Sequence, residues 1–283
     1  MRCRGKAAKK EKTEMKKLVA LVCSLVLLVS GMALFAGCNE IGIPDEEGYT
    51  IKIGYTEYEP MNYYDDDGKF VGFDTEFAIK LCTDLGYKYE FVLLNNWATK
   101  VVDLNGGTID LIWNGMTITP DLQESILIST PYLTNQQVLI AKSDVLSQYS
   151  TLEDLLNATV IAVETGSAAE TLVKAIEGMP ESKVRPVQSQ ARALMEVGSN
   201  QADVAVIDYT MAISMTGEGT NYTDVGWKDV GFEEEQYGIG ARKSDAAFME
   251  KLNAKIAEYQ ESGYLTELYN KYFVTEEEGT TNS

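Results

Sequence analysis

Histidine is absent from the 283 residues of this chain, and its absence excludes several kinds of chemistry. Imidazole is the commonest general base, the usual zinc ligand and a member of most serine and cysteine catalytic triads. The four cysteines, Cys3, Cys23, Cys38 and Cys82, show none of the spacings that bind a metal or form a redox pair. We therefore expect no catalytic residue, no cofactor and no metal.

Positive charge is also scarce once the amino terminus is set aside. The chain has 24 Lys and Arg against 43 Asp and Glu, a formal net charge of −19, and eight of the cations precede residue 18. Removing these eight together with Glu11 and Glu14 leaves 16 cations and 41 acids, so the remainder carries about −25. Such a surface repels nucleic acid, which we exclude as a partner.

The first 37 residues have the form of a secretion signal. Residues 1–17 are basic, Leu18–Ala36 are almost wholly apolar, and the segment ends in LFAGCNE. Ala36 and Gly37 before Cys38 resemble the lipobox of bacterial lipoproteins, in which the cysteine is acylated and becomes the first residue. The alternative is an uncleaved membrane helix, since 19 apolar residues nearly span a bilayer.

Both alternatives place the acidic remainder outside the cytoplasmic membrane, and the lipobox implies a lipid anchor on its outer face. Met15, followed by two lysines, also has the form of a start residue. Cys82 lies on the apolar face of EFAIKLCTDLG with Phe77, Leu81 and Leu85, where a small core residue is the simplest interpretation and a reactive thiol the alternative.

The rest of the chain alternates strand and helix patterns, which is typical of an α/β fold. Residues 38–48 form a short polar tether. The pattern runs once from Tyr49 to about residue 136 and starts again after the KSD at residues 142–144. The final residues 276–283 have the composition of a disordered tail. The cluster DDDGK at 65–69 predicts a turn, because it lacks the rest of a calcium-binding loop.

Seven segments in order resemble the bacterial extracellular solute-binding proteins of family 3, which deliver amino acids and related polar solutes to ABC importers. The resemblance covers about residues 50–273. Its segments are IKIGYTEYEPMNYYDDDGKFVGFDTEFAIKLCTDLG, NWATKVVDLNGGTIDLIWNGMTITP, STPYL, the ETGS turn, QADVAVID, QYGIGARKSD and ESGYLTELYNKYF.

The resemblance implies a two-lobed periplasmic-binding-protein-like fold (type II) in which a ligand closes the lobes by a hinge motion. The first lobe would comprise residues 49–136 and 240–275, and the second lobe residues 137–239. Two hinge strands would cross near residues 136–141 and 236–241. ABC permease subunits would recognise the closed form.

The same resemblance carries ligand contacts onto matching positions. In the first lobe these are the polar loop residues Asn114, Gly115 and Thr117 and the aromatic wall formed by Tyr55, Tyr58, Tyr63 and Trp97, for which core packing is the alternative. In the second lobe Glu164 adds negative charge before a turn formed by Gly166, Ser167 and Ala168, which resembles an anion-holding helix start.

Two further positions concern the charge of the ligand. Asp208, at the end of ADVAVID, matches a carboxylate that pairs with a ligand ammonium, and a helix cap is the alternative role. Leu122 stands in TITPDLQES where the family usually has an arginine that grips the ligand carboxylate. No substitute cation is evident, so we expect an amine-bearing solute whose carboxylate, if present, rests on backbone amides.

Two other functions remain open. Some relatives of this fold are dehydratases with a cleft carboxylate, and Glu57, Glu164 or Asp208 could take that role, although an acidic cleft disfavours an anionic substrate. A sensory module for a separate signalling partner is the second alternative. A solute-binding protein without enzymatic activity is the preferred hypothesis.

Overall fold

A computed structural model describes residues 42–274 of this chain. The predicted signal segment, Cys38, the first tether residues and the predicted tail lie outside these residues. Within the described range, no helix has the length and apolar composition needed to cross a bilayer.

Thirteen strands and eight α-helices form the described part of the chain. The strands are β1 (Thr50–Tyr55), β2 (Tyr63–Tyr64), β3 (Phe70–Val71), β4 (Lys88–Leu93), β5 (Leu111–Ile112), β6 (Leu127–Ile128), β7 (Leu133–Lys142), β8 (Ile161–Glu164), β9 (Val184–Val187), β10 (Val204–Asp208), β11 (Val225–Lys228), β12 (Glu234–Tyr237) and β13 (Gly240–Ala241). The helices are α1 (Phe73–Asp84), α2 (Lys100–Asn105), α3 (Pro120–Ser125), α4 (Ala168–Ala175), α5 (Gln190–Gly198), α6 (Tyr209–Met215), α7 (Ala246–Glu261) and α8 (Tyr264–Phe273).

The first lobe is built on a five-stranded sheet with the order β4-β1-β5-β13-β6. Strand β1 pairs in parallel with β4 and β5, and β13 pairs antiparallel with β5 and β6. Buried apolar side chains of α1, α7 and α8, including Phe77, Leu252 and Leu268, pack in the same core as β1. Strand β13 therefore brings the chain back into the first lobe after the second lobe is complete.

The second lobe is built on the sheet β11-β7-β10-β8-β9. Strands β8, β9 and β10 are parallel, whereas β7 runs antiparallel to β10 and β11. Because β8 and β10 are parallel and buried, their carboxyl ends, Glu164 and Asp208, lie at the same edge of the sheet.

Strands β7 and β12 connect the two lobes. Residues Leu133–Gln136 of β7 pair antiparallel with Glu234–Tyr237 of β12, after which β7 enters the second sheet at Gln137. The crossing segments thus lie slightly earlier than residues 136–141 and 236–241, because Gln137–Lys142 already hydrogen-bond within the second sheet and Gly240–Ala241 within the first.

Side-chain caps mark the start of some helices. Ser189 caps α5, its Oγ accepting from the Arg192 amide at 3.1 Å. A 3-10 turn, Trp97–Thr99, capped by Asn96, directly precedes α2. Cys82 is fully buried in α1, and burial raises the pKa of its thiol to about 12, as the core interpretation predicts.

Candidate functional site

A cavity of about 420 Å³ lies between the two lobes. Its walls come from the first lobe, the second lobe and the crossing strands. The residues of the first lobe are Tyr58, Trp97, Lys100, Asn114, Gly115, Met116, Thr117, Thr119, Pro120, Asp121 and Leu122, those of the second are Glu164, Gly166, Ser167, Ala168, Thr171, Leu172, Gln190 and Asp208, and Gln137 and Glu235 belong to the crossing strands. Of the ligand contacts predicted from the sequence, all except Tyr55 and Tyr63 line this cavity.

Tyr55 lies elsewhere. Its ring packs 4.7 Å from that of Phe70 and 6.1 Å from that of Phe91, measured between ring centroids. Tyr63, in the short strand β2, is also outside the cavity wall. For Tyr55 the packing alternative is therefore the correct one.

Tyr58 joins the lobes directly. Its hydroxyl group is hydrogen-bonded to the hydroxyl groups of Thr210 in α6, at 2.5 Å, and of Tyr237 in β12, at 2.8 Å. Full burial, with the nearby Asp208 carboxyl, raises the pKa of Tyr58 well above its usual range. Tyr58 therefore acts as a neutral hydroxyl at the base of the cavity.

Hydrogen bonds to other segments of the first lobe hold the loop after β5 in place. Asn114 accepts from the Thr56 amide at 3.0 Å and donates to Thr56 O at 2.9 Å and to Asn62 Oδ1 at 2.7 Å. Gly115 has a left-handed φ of 55°, and a Cβ there would lie 2.7 Å from the Tyr58 ring. Its amide donates to the buried Asp74 at 2.6 Å, so the loop is fixed before any ligand binds.

Backbone amides in the turn before α4 already have hydrogen-bond acceptors within the turn and the helix. The Gly166 amide donates to the Glu170 carboxylate at 2.6 Å, and Ser167 Oγ accepts from the Glu170 amide at 3.2 Å, which is a reciprocal cap. The Ser167 amide donates to Glu164 O at 3.2 Å. The turn therefore offers an incoming anion fewer free amides than its sequence suggested.

Asp208 lies 3% exposed at the end of β10. Its Oδ1 accepts from Asn135 Nδ2 at 2.8 Å and from Gln137 Nε2 at 2.5 Å, and its Oδ2 accepts from Gln190 Nε2. It occupies the amino-terminal cap position of α6 but makes no side-chain cap bond. Its carboxylate is consequently directed to the cleft network, and burial raises its pKa.

Glu235 is a cleft carboxyl that the sequence interpretation missed. It lies in β12, and its Oε1 accepts from Thr117 Oγ1 at 2.9 Å, Asn135 Nδ2 at 2.6 Å and Gln137 Nε2 at 2.8 Å. Asn135 and Gln137 each donate to both Glu235 and Asp208, so two side-chain amides bridge the two carboxyl groups. Burial and the nearby Asp208 raise the pKa of Glu235 to about 7.

Glu164, at the end of β8, contributes a third carboxyl group to the cleft. It is 3% exposed, and its Oε1 has no hydrogen-bond partner among the residues that the structure describes. Burial, reinforced by Asp208, raises its pKa to about 8, and Lys100 opposes that rise. A cation in the cavity would lower the pKa of all three carboxyls.

Lys100 is the second residue that the sequence interpretation missed. Its ammonium lies 4.6 Å from the Trp97 ring centroid, and it donates to Trp97 O at 3.3 Å and to Gly166 O at 3.1 Å, a contact that joins the lobes. Burial lowers its pKa to about 8, and Glu164 opposes that change. Its spacing of three residues from Trp97 on a helical segment was the available signal.

Leu122 lies in the first turn of α3, where Thr119 caps the helix by accepting from the Leu122 amide at 3.3 Å. Its side chain packs with the apolar cluster that contains Trp97 and Met116. The cavity wall at this position is therefore apolar. Residues 42–274 also contain no group of three or more His, Cys, Asp or Glu side chains placed to hold a metal.

The profile of the bacterial extracellular solute-binding proteins, family 3, matches residues 51–275. The chain belongs to this family, as its sequence segments predicted. It is therefore a solute-binding protein, and the predicted two-lobed α/β fold is confirmed by its structural neighbours.

Similar proteins include the amino-acid-binding protein AabA of Dichelobacter nodosus, which is 30% identical over 228 residues, 80% of this chain and 88% of that protein. An ancestral arginine-binding protein bound to arginine superposes with a TM-score of 0.74 at 29% identity, covering 81% of this chain and all of the other. The ancestral amino acid-binding protein AncCDT-1, a precursor of cyclohexadienyl dehydratase, superposes with a TM-score of 0.70 at 32% identity, covering 79% and 95% of the two chains.

Proposed function

We propose that this protein captures an amino acid or a related solute that carries at least one ammonium or guanidinium group, and delivers it to the permease subunits of an ABC importer. One observation carries the proposal: three carboxyl groups, those of the buried Glu164 and Asp208 and of the partly buried Glu235, face the cavity between the lobes. A cationic ligand loses its hydration when it enters that cavity. Charge-assisted hydrogen bonds to the three carboxyl groups replace that hydration.

The remaining walls fit such a solute. Trp97 presents an aromatic surface on which an aliphatic or cationic group can stack, and Tyr58 and Thr117 offer hydroxyl groups. The similarity to an arginine-binding protein and to AabA supports an amino-acid ligand. Contacts from both lobes would favour the closed arrangement when the ligand is bound.

We assign residues 49–136 and 240–275 to the first lobe and residues 137–239 to the second. Residues 1–37 act as a signal, residues 38–48 as a tether and residues 276–283 as a tail. Lipid attached to Cys38 anchors the protein at the outer face of the cytoplasmic membrane. Incorporation of labelled palmitate that is lost in Cys38→Ser tests the anchor, and equal labelling of both forms would contradict it.

The binding role is tested by thermal unfolding in the presence of single solutes. The panel comprises the amino acids, linear diamines and quaternary amines. Because a ligand that binds only the folded state raises the unfolding temperature, basic and amine-bearing solutes should give the largest increases. Larger increases from glutamate or aspartate than from any basic solute would contradict the proposal.

A dehydratase activity is the second candidate, since AncCDT-1 is a precursor of such an enzyme. Its substrate class would be a cyclohexadienyl acid. The three cleft carboxyl groups repel such an anion, so we expect no turnover of prephenate. Turnover is monitored by the loss of the absorbance signature of prephenate. Steady conversion that disappears in Glu164→Gln would favour the enzyme.

A further inference from the structure

Lys100 is a buried cation that hydrogen-bonds to no carboxylate in the described structure, although the Glu164 carboxyl group is near enough to oppose the lowering of its pKa. The residue is 7% exposed, and both of its hydrogen-bond acceptors, Trp97 O and Gly166 O, are uncharged carbonyl groups. Among the ion pairs of residues 42–274, none closer than 4.0 Å involves Lys100. Burying a charged group in this position costs free energy unless a group of opposite charge pairs with it.

The place of Lys100 matters because of what stands nearby. Its ammonium lies over Trp97, and Trp97 packs in the same apolar cluster as Leu122. Lys100 and Leu122 line the same cavity. The cation that is missing at position 122 is thus present in the wall of the same cavity at position 100, on a different element.

The acidic groups are organised around other partners. Asp208 and Glu235 are both held by Asn135 and Gln137 of the crossing strand β7, whereas Lys100 bonds to the turn at Gly166 in the second lobe. Asp208 and Glu235 therefore form an acidic part of the cavity at the crossing strands, whereas Lys100 lies at the Trp97 side with Glu164 as its neighbouring carboxyl group. This separation suits a zwitterion.

We infer that Lys100 binds the carboxylate group of the captured solute, and that the protein therefore selects amino acids over the corresponding decarboxylated amines. The inference deepens the proposed function and depends on it. The ammonium of Lys100 keeps a donor for the carboxylate beyond its two carbonyl contacts. The solute's cationic group lies with Asp208 and Glu235.

Two matched pairs of probes test this inference by calorimetry: L-arginine with agmatine, and L-lysine with cadaverine. Each pair differs by one carboxylate. The variants are Lys100→Met, Lys100→Arg and the double variant Lys100→Met with Leu122→Arg. We expect Lys100→Met to weaken binding of the amino acids by about 10- to 100-fold while agmatine and cadaverine bind as before or more tightly.

Lys100→Arg should retain most of the amino-acid affinity, and Leu122→Arg should restore it in the Lys100→Met background. Retained amine binding by Lys100→Met also shows that the variant is folded. Equal losses for both members of each pair would overturn the inference and make Lys100 a structural link between the lobes. If wild type binds the amines as tightly as the amino acids, the inference fails and the proposed function stands. If it binds neither these four solutes nor any other solute of the thermal-unfolding panel, the proposed function itself fails.

Discussion

Gln190 holds Asp208 at two points. The Gln190 Oε1 accepts from the Asp208 backbone amide at 2.8 Å, while its side-chain amide donates to the Asp208 carboxylate. Gln190 is the first residue of α5 and Asp208 the last residue of β10, so the pair fixes a strand end against a helix start. The carboxylate is thereby oriented before a ligand enters.

Gln190→Ala should weaken binding of an amine-bearing solute by about tenfold, because Asp208 loses a hydrogen bond that stabilises its charged form and its orientation. Titration calorimetry with L-arginine measures the change. Gln148→Ala, at an exposed position in a 3-10 turn, is the matched control and should bind as wild type does. An unchanged dissociation constant in Gln190→Ala would show that Asp208 is positioned without Gln190.

The affinity for a solute whose positive charge does not change should rise as the pH increases from about 6 to 8. The raised pKa values of Glu235, about 7, and Glu164, about 8, mean that these groups are partly protonated in the free protein and must ionise to pair with a cation. Agmatine, which keeps its charge over this range, should bind about tenfold more tightly at pH 8 than at pH 6, with release of protons. Lys100, with a pKa of about 8, loses charge near the upper limit and acts in the same direction.

Calorimetry in buffers of different ionisation enthalpy counts the released protons. Glu164→Gln should reduce the number released and flatten the upper part of the pH profile. Affinity that is independent of pH, or that falls as pH rises, would contradict this assignment of the carboxyl groups.

Glu164 should also make the unliganded protein less stable at pH 8 than at pH 5. Its folded pKa of about 8 lies above the ordinary value of 4.5, so the folded chain binds the proton more tightly than the unfolded chain does. The stabilisation is fully present below pH 4.5 and is lost as pH rises towards 8. Urea unfolding should show that Glu164→Gln raises the free energy of unfolding by about 1–3 kcal/mol more at pH 8 than at pH 5. A parallel shift at both values would contradict this.

Arg242 should be essential for stability but not for ligand choice. Its Nη2 lies 2.6 Å from Asp110 Oδ1 and its Nε 3.0 Å from Asp245 Oδ2, and its Nη1 donates to Leu104 O at 3.1 Å and to Ile109 O at 2.7 Å. Arg242→Met leaves the two buried carboxylates, Asp110 and Asp245, without a cationic partner and should cost about 3–5 kcal/mol in the free energy of unfolding.

Arg185→Met is the matched control. Arg185 is half exposed, and its partner Glu196 keeps an ion pair with Arg192 at 3.4 Å, so the loss should stay below about 1 kcal/mol. Urea unfolding of both variants makes the comparison. Similar losses in the free energy of unfolding of the two variants would show that burial of the Arg242 ion pairs adds nothing to their contribution to stability.

Local patterns predicted the alternation of strands and helices, and the family resemblance indicated part of the cavity wall. The alternation of strand and helix patterns and the burial of Cys82 are properties of short segments, and the structure confirms both. Tyr55 was placed wrongly because a strand pattern does not say which neighbouring ring, here Phe70, will cover a side chain. Glu235 was missed because it lies just outside the recognised segment QYGIGARKSD, and Lys100 was missed because, although it stands in the same segment as Trp97, no family contact was matched to its position.

The sequence by itself determined the family, the excess of negative charge and the absence of an arginine at position 122. Only the tertiary structure decided which charged side chains face the cavity. Asp208 and Glu235 share the amides of Asn135 and Gln137, and Lys100 contacts Gly166 across the cleft, although these residues are far apart along the chain. Burial and pairing depend on contacts between distant residues, so they set the protonation and position of these groups in a way that no local pattern records.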